Sequence, residues 1–380
     1  MKKIISIIVS YLLILTTSVH GVEGQPTLEI DAKSVILMES STGKILYDVN
    51  CDERLPIASV TKIMTMLLIC ESVDSGKITL DDMVPVSERA MSMGGSTMFL
   101  EAGESLSVSD MLKGIAVASA NDGCVAMAEF LDGSVENFVE KMNVRAKELG
   151  MENTNFVNTN GLDVENHYSS AKDVAIMSRE LLKHELIFNY TKIWTDSLRN
   201  GKFELANTNK LIRFYDGATG LKTGSTSEAM CCISATAKRD DLHLIAVVLG
   251  APNSNARFSG ARTLLDYGFS AFSLKKYTTK NEDLGEVEVL KGEDTLLSIC
   301  AKDEISLLKS KGENPESERN LIIKDNLKAP IKAGDIVGEL IISENANEVA
   351  RCDILASESI EKKTFGQMFS ENLTRFFGKI

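Results

Sequence analysis

Three short fragments restrict the fold of this chain more than anything else in it: Ser59-Val60-Thr61-Lys62, Ser119-Ala120-Asn121 and Lys222-Thr223-Gly224. From Ser59 to Ser119 is 60 residues and from Ser119 to Lys222 is 103, so a fold that uses them together must bring distant stretches to one groove. Taken singly they are weak, because Ser-x-x-Lys recurs at Ser41, Ser169, Ser273, Ser306 and Ser359, and Ser-x-Asn at Ser343 and Ser370. Lys-Thr-Gly occurs once, and order plus spacing carries the specificity.

The residue types suit one chemistry. A serine hydroxyl needs a base, and none of His20, His167, His184 and His243 sits in a familiar triad pattern. On a helix, residues three apart share a face at roughly 5–6 Å, so Lys62 reaches back to the Ser59 hydroxyl. A lysine of ordinary pKa, about 10.4, is charged at neutral pH, so the site has to lower Lys62 by burial and by a neighbouring cation, for which Lys222 is the candidate. The helix start at Ser59 offers a backbone N–H to an oxyanion, and the N–H of Ser225 is a second donor.

Ser119 can relay a proton to a leaving amine, and the Asn121 amide can hold a substrate carbonyl, at an expected junction of two helices. The competing reading is that Ser119 only caps the helix starting near Asp122. Lys222 is expected on a strand, opposite Thr223; lysine and hydroxyl suit a terminal carboxylate, and Gly224 clears room for a substrate laid along the strand.

Composition sets the wider limits. With 380 residues, 44% hydrophobic and 25% charged, the chain is globular and long enough for two domains. A net charge of −13 gives no basic face for nucleic acid, so an anionic group must be caught by local cations. Lys2 and Lys3 precede an apolar run from Ile4 to Leu15 that is too short to span a membrane, so residues 1–24 read as a secretory signal peptide, with an uncleaved anchor as the alternative. Either places the mature chain outside the cytoplasm. The seven cysteines show no zinc-like spacing, so no metal or cofactor is expected. Cys70 and Cys124 read as core residues, adjacent Cys231 and Cys232 point to opposite faces of a strand, and free thiols are expected.

Ser34 to Glu39, a turn at Ser40-Ser41-Thr42-Gly43, and Ile45 to Val49 read as a hairpin. After Pro56, apolar residues at Ile63, Met66, Leu67 and Cys70 give a helix whose first turn holds Ser59, and further helices fall at Val108 to Val117, Asp122 to Leu131 and Ala171 to Leu182. Ala229 to Ala237 and His243 to Leu249 read as strands, joined with the first hairpin in one antiparallel sheet. The class is α+β, with a catalytic domain over 25–275. Short β segments from Lys276 onward predict a small β-rich domain over 276–356. Over 357–380, Phe365, Phe369, Leu373, Phe376, Phe377 and Ile380 predict an amphipathic helix on a membrane surface, or a terminal helix packed on the β domain.

With these blocks in view, the chain resembles the serine-type D-alanyl-D-alanine carboxypeptidases, the low-molecular-mass penicillin-binding proteins. Pro56 to Thr65, Ala118 to Asp122, Gly161-Leu162-Asp163 ahead of Ser169 and Ala171, and Gly220 to Thr226 all look like family blocks. The resemblance implies a penicillin-binding, β-lactamase-like domain, a β-rich second domain and a C-terminal anchor. It implies removal of the terminal D-alanine from peptidoglycan stem pentapeptides through an acyl-serine, with β-lactams as covalent inhibitors. Ser59 becomes the nucleophile, Lys62 the proton acceptor, Ser119 and Asn121 the second element, and Lys222 and Thr223 the carboxylate-binding strand. Some relatives carry His where this chain has Ser225, which bears on substrate preference and rate. The shape is also similar to sporulation-associated carboxypeptidases. The alternatives are a class A-like β-lactamase, disfavoured by Ala120 in the Ser-x-Asn block, and a catalytically silent wall-binding protein.

Overall fold

The computed structural model describes residues 26–313, 315–367 and 369. The expected signal peptide and most of the expected C-terminal helix lie outside the described residues. The chain divides into two compact units, residues up to 239 with His243–Gly268, and Asp240–Leu242 with residues from 269 on.

In the first unit, β1 (Ser34–Glu39) and β2 (Ile45–Val49) form the expected hairpin. Its turn is closed by the buried Glu39 carboxylate, which accepts from the backbone N–H groups of Ser41 and Thr42 at 2.8 and 2.7 Å, while Gly43 takes a φ of 73°. The helices that follow include α1 (Lys62–Asp74), α2 (Asn121–Asp132), α3 (Val135–Glu148) and α4 (Ala171–Leu181). Helices α3 and α4 begin at serine caps: Ser134 accepts from Asn137 N–H and Ser170 from Asp173 N–H, satisfying otherwise orphaned donors. Then come β3 (Ala218–Thr226), β4 (Met230–Arg239), β5 (Leu242–Ala251) and α5 (Ser254–Ala271).

The five strands lie in the order β2-β1-β5-β4-β3, with antiparallel pairings of β1 to β2, β1 to β5 and β3 to β4. The hairpin and the late strands therefore share one sheet, as expected. Strand β1 is buried along its whole length, and β3 is an edge. Helix α1 is buried on nearly every face, from Lys62 through Cys70. Its three-and-four apolar spacing reads as amphipathic, but the helix threads the core, and this is what takes Lys62 out of water. The long helix α5 goes beyond the sequence expectations, because small and polar residues interrupt its apolar positions.

The second unit has its own core around Leu297, Ile299, Val337, Leu340 and Ile354. Its five-stranded sheet contains Asp283–Glu288, Leu296–Ala301, Asn347–Ala356, Ile336–Glu344 and Ser317–Ile323 in that spatial order, and Phe272–Thr278 pairs with Ile305–Ser310. The described residues from 357 to 364 are not helical. Ile360 bridges Ile331 and Lys362 bridges Gly292 in extended backbone, which continues the pairing of the β unit, and helical backbone starts at Phe365. All seven cysteines are free thiols.

Candidate active site

Ser59 lies in a 3-10 turn, Ala58–Thr61, immediately before α1, and not in the α-helix itself. A 3-10 turn eclipses side chains three apart, which aims Lys62 at Ser59 more directly than an α-turn would. Lys62 Nζ is 2.7 Å from Ser59 Oγ, 2.7 Å from Asn121 Oδ1 and 2.7 Å from the Asn160 carbonyl. The side chain is fully buried. As a neutral amine it donates two N–H groups to the two fixed carbonyl oxygens and turns its lone pair on the Ser59 hydroxyl. Burial lowers its pKa to about 8, against an upward pull from Cys124 and Asp122.

Burial is the main cause that lowers Lys62, and the two buried amines oppose one another's protons; Lys222 is driven well below its ordinary range first by burial and then by Lys62. Lys222 is as buried as Lys62, but among the described residues its Nζ has a single hydrogen bond, to the Thr223 carbonyl at 2.8 Å. A site this dry favours one ammonium over two, and the amine with three oxygen partners is the one that keeps it.

Ser119 follows a π-helical turn, Gly114–Ala118, and sits at a φ of 64°, a strained conformation for serine. The helix beginning at Asn121 has no side-chain cap, so the capping reading of Ser119 does not hold. Asn121, expected to face substrate, gives its carbonyl to Lys62 and one N–H to the Gly94 carbonyl at 2.7 Å, which leaves one N–H for a ligand. Asp122 supports the same loop by accepting from Met98 and Leu100 N–H, each at 3.1 Å.

Thr223 donates to Thr208 Oγ1 at 2.7 Å. A Cβ on Gly224 would lie 2.8 Å from Ser59 N and 2.9 Å from both Ala58 Cβ and the Ile57 carbonyl, so its bareness makes room for the nucleophile turn. Gly161 grips the other side of that turn: at a φ of 86°, its Cβ would fall 1.8 Å from the Ala58 carbonyl. Ser225 is exposed at the end of the edge strand, 3.6 Å from Cys231 Sγ. The sequence reading passed over Arg257, whose guanidinium donates to the Gly224 and Cys232 carbonyls at 3.0 and 3.4 Å; no motif marks it. Thr208 and the Asn160 carbonyl were equally invisible, since each acts through a contact distant in sequence.

A family model described as D-alanyl-D-alanine carboxypeptidase matches residues 20–253, and one described as Penicillin-binding protein 5, C-terminal domain matches residues 272–362. The chain is 45% identical over 374 residues to D-alanyl-D-alanine carboxypeptidase DacF of Bacillus subtilis, covering 96% of each. It is similar to the solved penicillin binding protein 5 of Haemophilus influenzae, with TM-score 0.72 and 30% identity over 89% of this chain and 100% of that one. Penicillin-Binding Protein D2 of Listeria monocytogenes, solved in an ampicillin-bound form, matches with TM-score 0.59 and 32% identity over 64% of this chain and 100% of that one.

Proposed function

The chain belongs to the D-alanyl-D-alanine carboxypeptidase family and acts on cell-wall peptidoglycan, and from that premise we propose that Ser59 is the residue acylated and Lys62 the base that activates it. The observation that carries this reading is the triangle at Lys62 Nζ, where two fixed carbonyl oxygens leave only Ser59 Oγ for the lone pair. Lys62 takes the hydroxyl proton as Ser59 Oγ attacks the carbonyl between the two terminal D-alanines. The backbone N–H groups of Ser59 and Ser225 receive the oxyanion. Ser119 passes a proton to the departing D-alanine amine, and a water then opens the acyl-serine by the same base.

The substrate carboxylate is received beside Thr223, whose hydroxyl bonds Thr208, and Arg257, bonded to the Gly224 carbonyl, adds a charge that burial does not remove. A carboxylate arriving there favours a proton on Lys222, and an ammonium on Lys222 opposes one on Lys62, so substrate binding itself helps to free the base. β-Lactams acylate the same hydroxyl. A β-lactamase needs a second base to clear the acyl group quickly; the group bonded to Ser59 Oγ is Lys62.

Incubation with a peptide ending in D-Ala-D-Ala releases free D-alanine, and a β-lactam adds one adduct mass to the Ser59 peptide. S59A abolishes both; surviving hydrolysis rules out Ser59. The protein acts outside the cytoplasm after export through residues 1–24, held at the membrane by its C-terminal stretch, where Phe365 and Phe369 are exposed and stacked at 6.3 Å. Truncation after Ser357 then moves the protein from the membrane fraction to the soluble one.

A further inference from the structure

The loop from Asn155 to Tyr168 is closed at its ends by the reciprocal bonds Asn155 N–H to Tyr168 O and Tyr168 N–H to Asn155 O, at 2.9 and 3.1 Å. It meets the nucleophile turn at three places. The Asn160 carbonyl takes Lys62, Gly161 lies against the Ala58 carbonyl, and His167 Nε2 lies 2.8 Å from Thr61 Oγ1. The first two are made by backbone; His167 is the side chain among them. Its tautomer follows from its other nitrogen. Val157 N–H points at Nδ1 from 3.0 Å, so Nδ1 accepts and the proton sits on Nε2, facing Thr61. His167 is buried, with its ring edge-on to Phe156 at a centroid distance of 5.9 Å.

We propose that neutral His167 is a positioning residue for acylation: by donating from Nε2 to Thr61 it fixes the turn that holds Ser59 against Lys62. The proposal rests on Ser59 as nucleophile. Protonation puts a second N–H on Nδ1, opposite the Val157 N–H, and two donors facing each other break the loop's hold. The charged and titratable groups around the ring are Asp163, which favours the protonated ring, and Lys62, which opposes it; Glu165 and Glu228 line the same cavity of about 500 Å³. Burial outweighs Asp163 and brings His167 down to about 4, so the hold is intact at neutral pH.

The two arms can be removed one at a time in the full chain, reading the second-order rate of β-lactam acylation by adduct mass. H167Q places an amide N–H near the Nε2 position and stays within about threefold of the unaltered protein, whereas H167N keeps the Val157 arm, loses the Thr61 arm and slows acylation about tenfold. T61V slows it similarly, and the double variant H167N/T61V is no slower than the worse single one. In the unaltered protein the rate falls with a second proton below about pH 4, a limb that H167Q lacks. Equal losses in H167Q and H167N, an unchanged H167N, or losses that follow the melting temperature alone overturn the proposal. Absence of any adduct in the unaltered protein overturns the assignment of Ser59 and this proposal with it.

Discussion

The nucleophile turn and the Lys-Thr-Gly strand each bury a lysine completely, yet they treat it differently. Lys62 has three oxygen partners at 2.7 Å, while Lys222 has one, its neighbour's carbonyl. Both pKa values fall, because a buried ammonium is poorly solvated whatever its partners. Neighbouring charges set how far: Cys124 and Asp122 pull Lys62 back up, whereas Lys62 and Arg257 push Lys222 further down. The turn keeps an amine that titrates near 8, and the strand one held well below the ordinary lysine range. Burial supplies both shifts and neighbouring charges set the difference; in the proposed mechanism the first amine is the base and the second meets the substrate anion.

The sharpest way to break this contrast is to delete the base. K62A lowers β-lactam acylation by about 10⁴-fold or more, since base and nucleophile act as a unit. A K62A protein that still acylates within tenfold moves the base elsewhere. Next in size is G224A, which forces a methyl into the space of Ser59 N, Ala58 and Ile57. Displacing the turn by a fraction of an ångström costs about 10²-fold in acylation. If G224A instead raises only the KM for substrate, Gly224 faces the ligand after all.

K222M tests the other half of the comparison. On the proposed role of Lys222 at the carboxylate, its loss raises the KM of D-Ala-D-Ala peptides by about tenfold, as one charge-assisted bond lost. Because burial is the main cause that lowers Lys62, its titration in the unliganded K222M protein stays well below the ordinary lysine range. A return of Lys62 to its ordinary range in K222M restores the neighbouring-cation account.

A separate test lies in stability. His167 is buried and His243 half-buried, and both are drawn down to about 4 in the folded chain, against 6.5 when exposed. The unfolded chain therefore binds more protons between pH 4 and 6.5, and stability falls as pH drops through that window, by at most about 3 kcal/mol for each histidine. Urea midpoints at pH 7 and pH 4.5 measure it, and a flat profile contradicts the lowered pKa of both rings.

What could be read in the sequence was local. Ser59 and Lys62 are one turn apart, the Ser34–Glu39 and Ile45–Val49 hairpin carries its own turn, and both were legible from spacing alone. Ser119 and Asn121 were placed correctly at a helix junction, but that Asn121 is already occupied by Lys62 and Gly94 depends on a loop nearly thirty positions away. Gly224 was legible as a glycine that something must approach closely, although which surface approaches is settled by packing. Arg257, Thr208, Asn160 and His167 contribute through partners far along the chain, and no pattern in a single sequence encodes such meetings. The same holds for the near-complete burial of α1, whose periodicity looks like that of a half-exposed helix.

A nitrogen-detected titration of Lys62 in the unliganded protein tests the central claim most directly. A midpoint near 8, lost in K62A and kept in S59A, is the predicted result. A midpoint above about 10, that of a solvent lysine, would show an ammonium that cannot take the Ser59 proton at neutral pH, and Lys62 would not be the base.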